Sequence, residues 1–254
     1  MIKIESLEKR FADVCAVDNL SIELHDGQIT GLLGPNGAGK TSTLRMMYGL
    51  VRPSGGGIYV DGISVVDEPQ KVQAQMGVLP DDGGVYERLS ARENIEYFGR
   101  LQGLNESQLK THTDELIELL DMHSIEHRRT AGFSLGERTK VALARAIVHQ
   151  PQHILLDEPT NGLDVMTTRA VRRLLLELRD RGRCIVFTSH LMHEVENLCD
   201  RVVIVAKGRI IADGSVEEII NQSGTESMEE AFVSLACEPE RRAMVETSKE
   251  STHV

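Results

Sequence analysis

With 254 residues, 41% of them hydrophobic, the chain can bury a large core, and its length suits one α/β unit carrying a smaller inserted lobe. A formal net charge of −11 sets the average surface field against a phosphate backbone, so nucleic acid is not an expected partner. The four cysteines, Cys15, Cys184, Cys199 and Cys237, lack C-x-x-C spacing, which excludes a disulfide scaffold and points to reduced thiols in a cytosolic compartment.

The N-terminal run MIKIESLEKRF has charges early and no apolar core of signal-peptide length. No later stretch approaches the roughly 18 uncharged apolar residues of a membrane span, so the chain is not expected to cross a bilayer itself. IKIESL, AVDNLSIEL and QITGLLG read as short strands separated by Asp-Asn and Asp-Gly turns. Directly after the third comes GPNGAGKT, Gly34 to Thr41, and then the helical STLRMMYGL. Strand, glycine loop and helix in that order form a phosphate cradle, built from Gly34, Pro35, Asn36, Gly37, Ala38, Gly39, Lys40, Thr41 and Ser42. The glycines let backbone N–H groups turn inward around an anion, and the helix presents its positive dipole end to it. Lys40 can reach β- and γ-phosphates, and the Thr41 hydroxyl can ligate the accompanying Mg²⁺. A plain glycine turn is the alternative. Met46 and Met47, farther along the helix, read as core filler.

Between about Arg92 and Gln150 the apolar spacing turns helical, as in Ile95, Phe98, Leu101 and then Leu116, Leu119, Leu120, which marks an inserted helical lobe over about 85–150. Within it, FSLGERTKVALARAIVHQP places Ser134 and Gly136 at a helix start, with Val141, Leu143, Ala144 and Ile147 toward a core. HILLDEP follows, a buried-strand pattern ending in adjacent carboxylates. Asp157 can hold Mg²⁺ through a water and Glu158 can polarise the water that attacks a γ-phosphate, the bland alternative being an acidic turn. The next helix carries Arg169, Arg172, Arg173, Arg179, Arg181 and Arg183, but also Val171, Leu174, Leu175 and Leu178 at core spacing, so its basic side reads as a solvated face. RCIVFTSH is a strand ending in His190. His193, three positions on, reads as a surface histidine, because no carboxylate motif accompanies a metal pair. RVVIVAKGRIIADG reads as a hairpin around Lys207-Gly208. The domain is expected to span 1–237, and the polar tail 238–254 to be disordered.

Taken together, the phosphate loop, FSLGE, the Asp157-Glu158 pair, NGLD at Asn161 to Asp164, and TSH resemble, in order, the motifs of ATP-binding cassette (ABC) ATPases over Phe11 to about Leu235. The resemblance implies a P-loop NTPase core of ABC type, an antiparallel β subdomain and an inserted helical lobe, with ATP and Mg²⁺ as cofactors. It implies that Phe11 stacks on adenine, although one aromatic in such a segment can equally be core. It implies that Ser134 and Gly136 meet the γ-phosphate bound by a second cassette, so that two ATPs lie between two copies. Asp164 would tighten that contact, and His190 would bond the γ-phosphate and orient the attacking water.

Two departures stand out. Asp81 occupies the position of a usual glutamine, where it can approach Mg²⁺ but cannot donate an amide N–H. Leu135 and Glu137 replace a usual glycine and glutamine in the signature. The signature run, the Asp81 loop and SMEEAFVSL resemble ATPase subunits of two-component exporters, particularly the sodium-exporting type. That implies a separate membrane permease docking around Val85 to Leu89, a cassette homodimer, and a chain peripheral on the inner face of the membrane. The alternatives are a soluble cassette regulator acting on ribosomes or DNA, which commonly carries two cassettes or coiled-coil insertions, and a phosphotransferase.

Overall fold

The computed structural model describes residues 1–81 and 84–237, apart from the Cys237 side chain. The 238–254 tail, expected to be disordered, lies outside the described residues, as do Asp82 and Gly83 beside Asp81.

The chain opens with β1 (Ile2–Phe11), β2 (Val14–Leu24) and β3 (Gln28–Leu33), then α1 (Lys40–Met47). Next come β4 (Gly55–Val60), β5 (Ile63–Ser64), α2 (Pro69–Gln73) and β6 (Met76–Leu79). Helices α3 (Ala91–Leu101), α4 (Glu106–Leu119) and α5 (Leu135–Ile147) separate β6 from β7 (His153–Asp157). Alternation then resumes with α6 (Val165–Asp180), β8 (Cys184–Ser189), α7 (Met192–Leu198), β9 (Arg201–Ala206) and β10 (Arg209–Gly214). The described chain ends in α8 (Val216–Ser223), α9 (Met228–Phe232) and a π-helical turn, Val233–Cys237.

Two sheets result. One is antiparallel, in the order β2-β1-β4-β5; the other runs β10-β9-β3-β8-β7-β6, parallel except for the β9–β10 hairpin. Lys207 and Gly208 both take positive φ, 50° and 77°, which is what a two-residue hairpin turn requires. One expected turn is corrected. Asp18-Asn19 stays inside β2, where Asn19 at φ 52° sits in a bulge between the Leu7–Leu20 and Lys9–Val17 pairs. The hairpin turns instead at Ala12, φ 47°.

Burial on both faces makes the parallel strands read as unbroken apolar runs. In β7, Ile154 and Leu156 join α3–α6 in one core, while Leu155 points with α1 and the antiparallel sheet into a second. Met46 and Met47 belong to that second core and are fully buried. The basic side of α6 is neutralised rather than patch-like: Arg172 pairs with Glu194, Arg173 with Asp121, Arg179 with Asp180 and Asp200, and Arg181 with Glu115 and Glu177. No helix among the described residues is long and apolar enough to cross a membrane.

Candidate nucleotide site

Adjacent parallel strands aim their C-terminal loops at the same place, the position where open α/β sheets bind ligands. Here β3 delivers the glycine loop, β7 delivers Asp157 and Glu158, and β8, lying between them, delivers Thr188 and then His190. The register fixes the meeting: Leu33 aligns with Ser189, and Asp157 with Thr188.

Gly39, at φ 103°, turns the loop into α1, and any Cβ there would collide with the Ala16 carbonyl oxygen. The loop is also tied down by Gly208 N–H donating to Ala38 O at 3.0 Å. Lys40 folds back into the loop, donating from Nζ to Gly34 O at 2.7 Å and Pro35 O at 3.2 Å. Burial pulls its pKa below the usual lysine value, against the raising effect of Glu158 and Asp157. The start of α1 is unusual in this molecule. Among the described helices of eight or more residues, α3, α4, α5, α6 and α8 have a side chain that caps their first turn, from Ser90, Asn105, Ser134, Asp164 and Ser215. Helix α1 has none, and no acid in its first turn. No side chain competes for its first N–H groups, an arrangement that suits an anion.

Opposite the loop, Asp157 Oδ1 accepts from Thr188 Oγ1 at 2.6 Å and Thr41 Oγ1 at 3.2 Å. Thr188 Oγ1 also accepts from the Glu158 N–H at 3.0 Å, holding Glu158 in a left-handed conformation, φ 50°. Its carboxylate Oε2 lies 2.7 Å from His190 Nδ1. Thr188 is a site residue that the sequence reading missed. Its signal was a hydroxyl residue in the last two positions of the β8 run, two positions before His190.

Phe11, Asn36 to Ser42 and Glu158 line one cavity of about 340 Å³. Phe11 is 47% exposed there, with Lys9 Nζ 4.8 Å from its ring centroid, so it is a rim residue and not core. Asp81 lines a neighbouring cavity of about 310 Å³ together with Leu135, Asp157, Glu158 and Asn161. The two cavities share Glu158.

Ser134, Gly136 and Asp164 gather elsewhere, and none of them lines the phosphate-loop cavity. Ser134 caps α5 and exchanges hydrogen bonds with Glu137: Oγ accepts from the Glu137 N–H, and the Ser134 N–H donates to Glu137 Oε2 at 2.8 Å. Asp164 caps α6, accepting from the N–H groups of Met166 and Thr167 and from Thr167 Oγ1. A Cβ on Gly136 would meet Thr167 Oγ1 at 2.8 Å, so the two helix starts touch. Beside them Leu135, Val165 and Met166 are exposed, Met166 by 70%. His193 is a surface residue next to Glu194, at 3.2 Å.

In the helical lobe, Tyr86, Tyr97 and Phe98 pack ring against ring with centroids 5.5–5.9 Å apart. Tyr86 is 51% exposed and lines a shallow groove with Glu87, Arg88, Leu89 and Tyr97. The buried Asn94 fixes that segment, accepting from Tyr86 N–H at 2.8 Å and donating to Tyr86 O at 3.1 Å.

Residues 17–161 match the family model described as ABC transporter. The chain is 41% identical over 239 residues to the ABC transporter ATP-binding protein NatA of Bacillus subtilis (strain 168), covering 92% of this chain and 97% of that one. It is 34% identical to the Nod factor export ATP-binding protein I of Cupriavidus metallidurans, covering 87% of this chain and 73% of that one. A solved structure described as the ATP binding subunit of an ABC transporter superposes with a TM-score of 0.86 at 26% identity, covering 92% of this chain and 99% of the other. Family model, relatives and fold agree: this chain belongs to the ABC transporter family and is an ATP-binding subunit of a transporter.

Proposed function

We propose that the chain hydrolyses ATP on the cradle of Gly34 to Ser42 and uses closure against a second copy of itself to drive a separate membrane permease, with sodium ions as the cargo. The observation that carries the nucleotide reading is the uncapped start of α1, with Lys40 at its first position and Glu158 and His190 across the cavity. Phe11 supplies the rim on which adenine stacks. Thr41 and Asp157 offer two oxygens 3.2 Å apart, a hard donor set that suits Mg²⁺, with Asp81 as a further carboxylate nearby. Bound there, Mg²⁺ would neutralise charge on the phosphate oxygens. Glu158 accepts a proton from the attacking water, and His190 orients that water and the γ-phosphate.

Ser134, Gly136 and Asp164 act in trans. They lie away from their own phosphate loop and beside the exposed Leu135, Val165 and Met166, which a second cassette would cover. The permease docks on the groove at Tyr86 to Leu89, and this holds the chain at the inner face of the membrane. A single motif set and a compact helical lobe favour this reading over a soluble regulator of ribosomes or DNA. The resemblance of the signature run, the Asp81 loop and SMEEAFVSL to the ATPase subunits of sodium exporters supports sodium as cargo.

The test is reconstitution of the chain with its membrane partner in liposomes. ATP-driven sodium efflux that disappears in Glu158→Gln is expected. ATP turnover without any sodium flux overturns the cargo, and loss of permease binding in Tyr86→Asp checks the docking groove independently.

A further inference from the structure

At the opposite end of the parallel sheet, the first residues of β3, β8 and β7 align in one row as Gln28, Cys184 and His153. Neighbours in register on adjacent strands share a face. The next residues, Ile29, Ile185 and Ile154, belong to the core on the other side. This row therefore faces the antiparallel sheet, and it is polar where the rest of that core is apolar. His153 is 0% exposed and Cys184 1%. Asp26, on the β2–β3 turn, completes a group in which a ring nitrogen of His153, Cys184 Sγ and an Asp26 carboxylate oxygen all lie within 4.8 Å of one another.

We propose that Asp26, His153 and Cys184 bind a thiophilic divalent cation of the zinc class. The histidine is prepared for it. Its Nε2 lies 2.8 Å from Asp61 Oδ2, and a carboxylate there accepts, so Nε2 carries the proton. Nδ1 is then a buried lone pair, and no hydrogen-bond partner meets it among the described residues. A carboxylate on the far nitrogen of a ligating histidine is the arrangement that fixes tautomer and ring orientation in metal sites. Gln28 Oε1, in the same row, is a second buried acceptor without a partner among the described residues and offers a neutral oxygen.

Imidazole, sulfur and carboxylate together suit zinc better than magnesium or calcium, which take oxygen ligands. Bonds of about 2.0–2.3 Å require ligand atoms roughly 3.3–3.8 Å apart in a tetrahedron, so the group must tighten. Asp26, half-exposed on a turn, is the member able to move, and it opens the site to solvent. The Met1 amino group bridges Asp26 and Asp61 at 2.9 and 2.6 Å; the cation takes over its Asp26 contact and leaves the one to Asp61. Cys184 enters as a thiol, since burial raises its pKa to about 12, and binding replaces S–H by S–metal with one proton released to solvent. The bound cation would clamp the β2–β3 turn to the starts of β7 and β8.

The full chain, nucleotide-free and stripped with chelator, is titrated with Co²⁺ alone. One Co²⁺ per chain with a thiolate-to-cobalt charge-transfer band is expected, displaced by Zn²⁺ because zinc outcompetes cobalt on such donors. Cys184→Ser should lose the band, and a Cys15→Ser/Cys199→Ala/Cys237→Ser variant should keep it. Asp61→Asn, outside the ligand set, should weaken Co²⁺ by about 10–100-fold. Asp26→Asn, an exposed change that spares the core, should weaken it with an unchanged circular dichroism spectrum. No charge-transfer band in the unmodified chain, its survival in Cys184→Ser, or unaltered affinity in Asp26→Asn would each overturn the proposal.

Discussion

Glu158 Oε2 and His190 Nδ1 stand 2.7 Å apart although they leave the sheet from different strands, β7 and β8. A carboxylate held by an imidazole can accept a proton from water while the ring fixes where that water sits. Glu158→Gln keeps the size and the backbone contact to Thr188 but removes the base. Phosphate release should fall by about 10²-fold or more while ATP is retained. Unchanged release by that variant removes Glu158 from the role.

Lys40 tests the cradle separately from the chemistry. Its ammonium is held by two loop carbonyls, and the residue lines the cavity of the glycine loop. A hydrogen bond to a charged group is worth about 1.5–3 kcal/mol, so Lys40→Ala should weaken ATP binding by about 10–150-fold. Titration with a fluorescent nucleotide reads this directly, and normal affinity would contradict the phosphate reading.

Thr188 connects both carboxylate residues through one hydroxyl, donating to Asp157 and accepting from the Glu158 N–H. Thr188→Val keeps the shape and removes the bridge, taking the acceptor from the Glu158 N–H and leaving Asp157 Oδ1 with its longer bond from Thr41, at about 1–3 kcal/mol. The expected kinetic signature is a drop in kcat with little change in KM for ATP, because Glu158 loses its restraint while the phosphate loop is untouched. An equal change in both would make Thr188 a binding residue instead.

These residues differ in how visible they are in a linear reading. The phosphate loop, the 157–158 pair and the β7 core pattern are local, since spacing and residue type within a dozen positions define them. The parallel core followed from buried runs alternating with helical spacing, which is why the α/β class was legible. Thr188 was not, because a threonine near a strand's end gains meaning only when β8 is known to lie between β3 and β7. Asp18-Asn19 misled for the converse reason: turn-forming residues were absorbed as a bulge by pairing with β1, a long-range effect. Ser134 and Asp164 come from helix starts 30 positions apart in sequence, and tertiary contacts such as that of Gly136 with Thr167 and Asp164 bring them together.

Arg172 and Glu194 make a two-pronged ion pair at 2.9 and 3.1 Å that joins α6, which starts at Asp164, to α7, which follows His190. Glu194 is 3% exposed, and the exposed His193 ring lies 3.2 Å from its carboxylate. Arg172→Ala leaves that charge buried, and the cost should be about 3 kcal/mol, the lower end for a broken buried pair because Arg172 itself reaches solvent. Urea denaturation measures it. The double variant Arg172→Ala/Glu194→Ala should recover part of the loss, and a double variant as unstable as the single would place the effect elsewhere.

Three helix starts make acid stability predictable in sign. Backbone N–H donors hold the carboxyls of Glu93, Glu137 and Asp164 below their ordinary pKa: the Ser90 N–H for Glu93, the Ser134 N–H for Glu137, and the Thr167 N–H for Asp164. A depressed folded-state pKa contributes stability that is complete above the unfolded value, about 4, and is lost as the pH falls through the depressed one. Unfolding free energy should therefore be level through neutral pH with respect to these groups and decline below about pH 4. Glu137→Gln can still accept the Ser134 N–H but does not titrate. Its stability should fall less steeply in acid than that of the unmodified chain, and parallel pH profiles for the two would show that the Ser134 cap does not depend on the carboxylate charge.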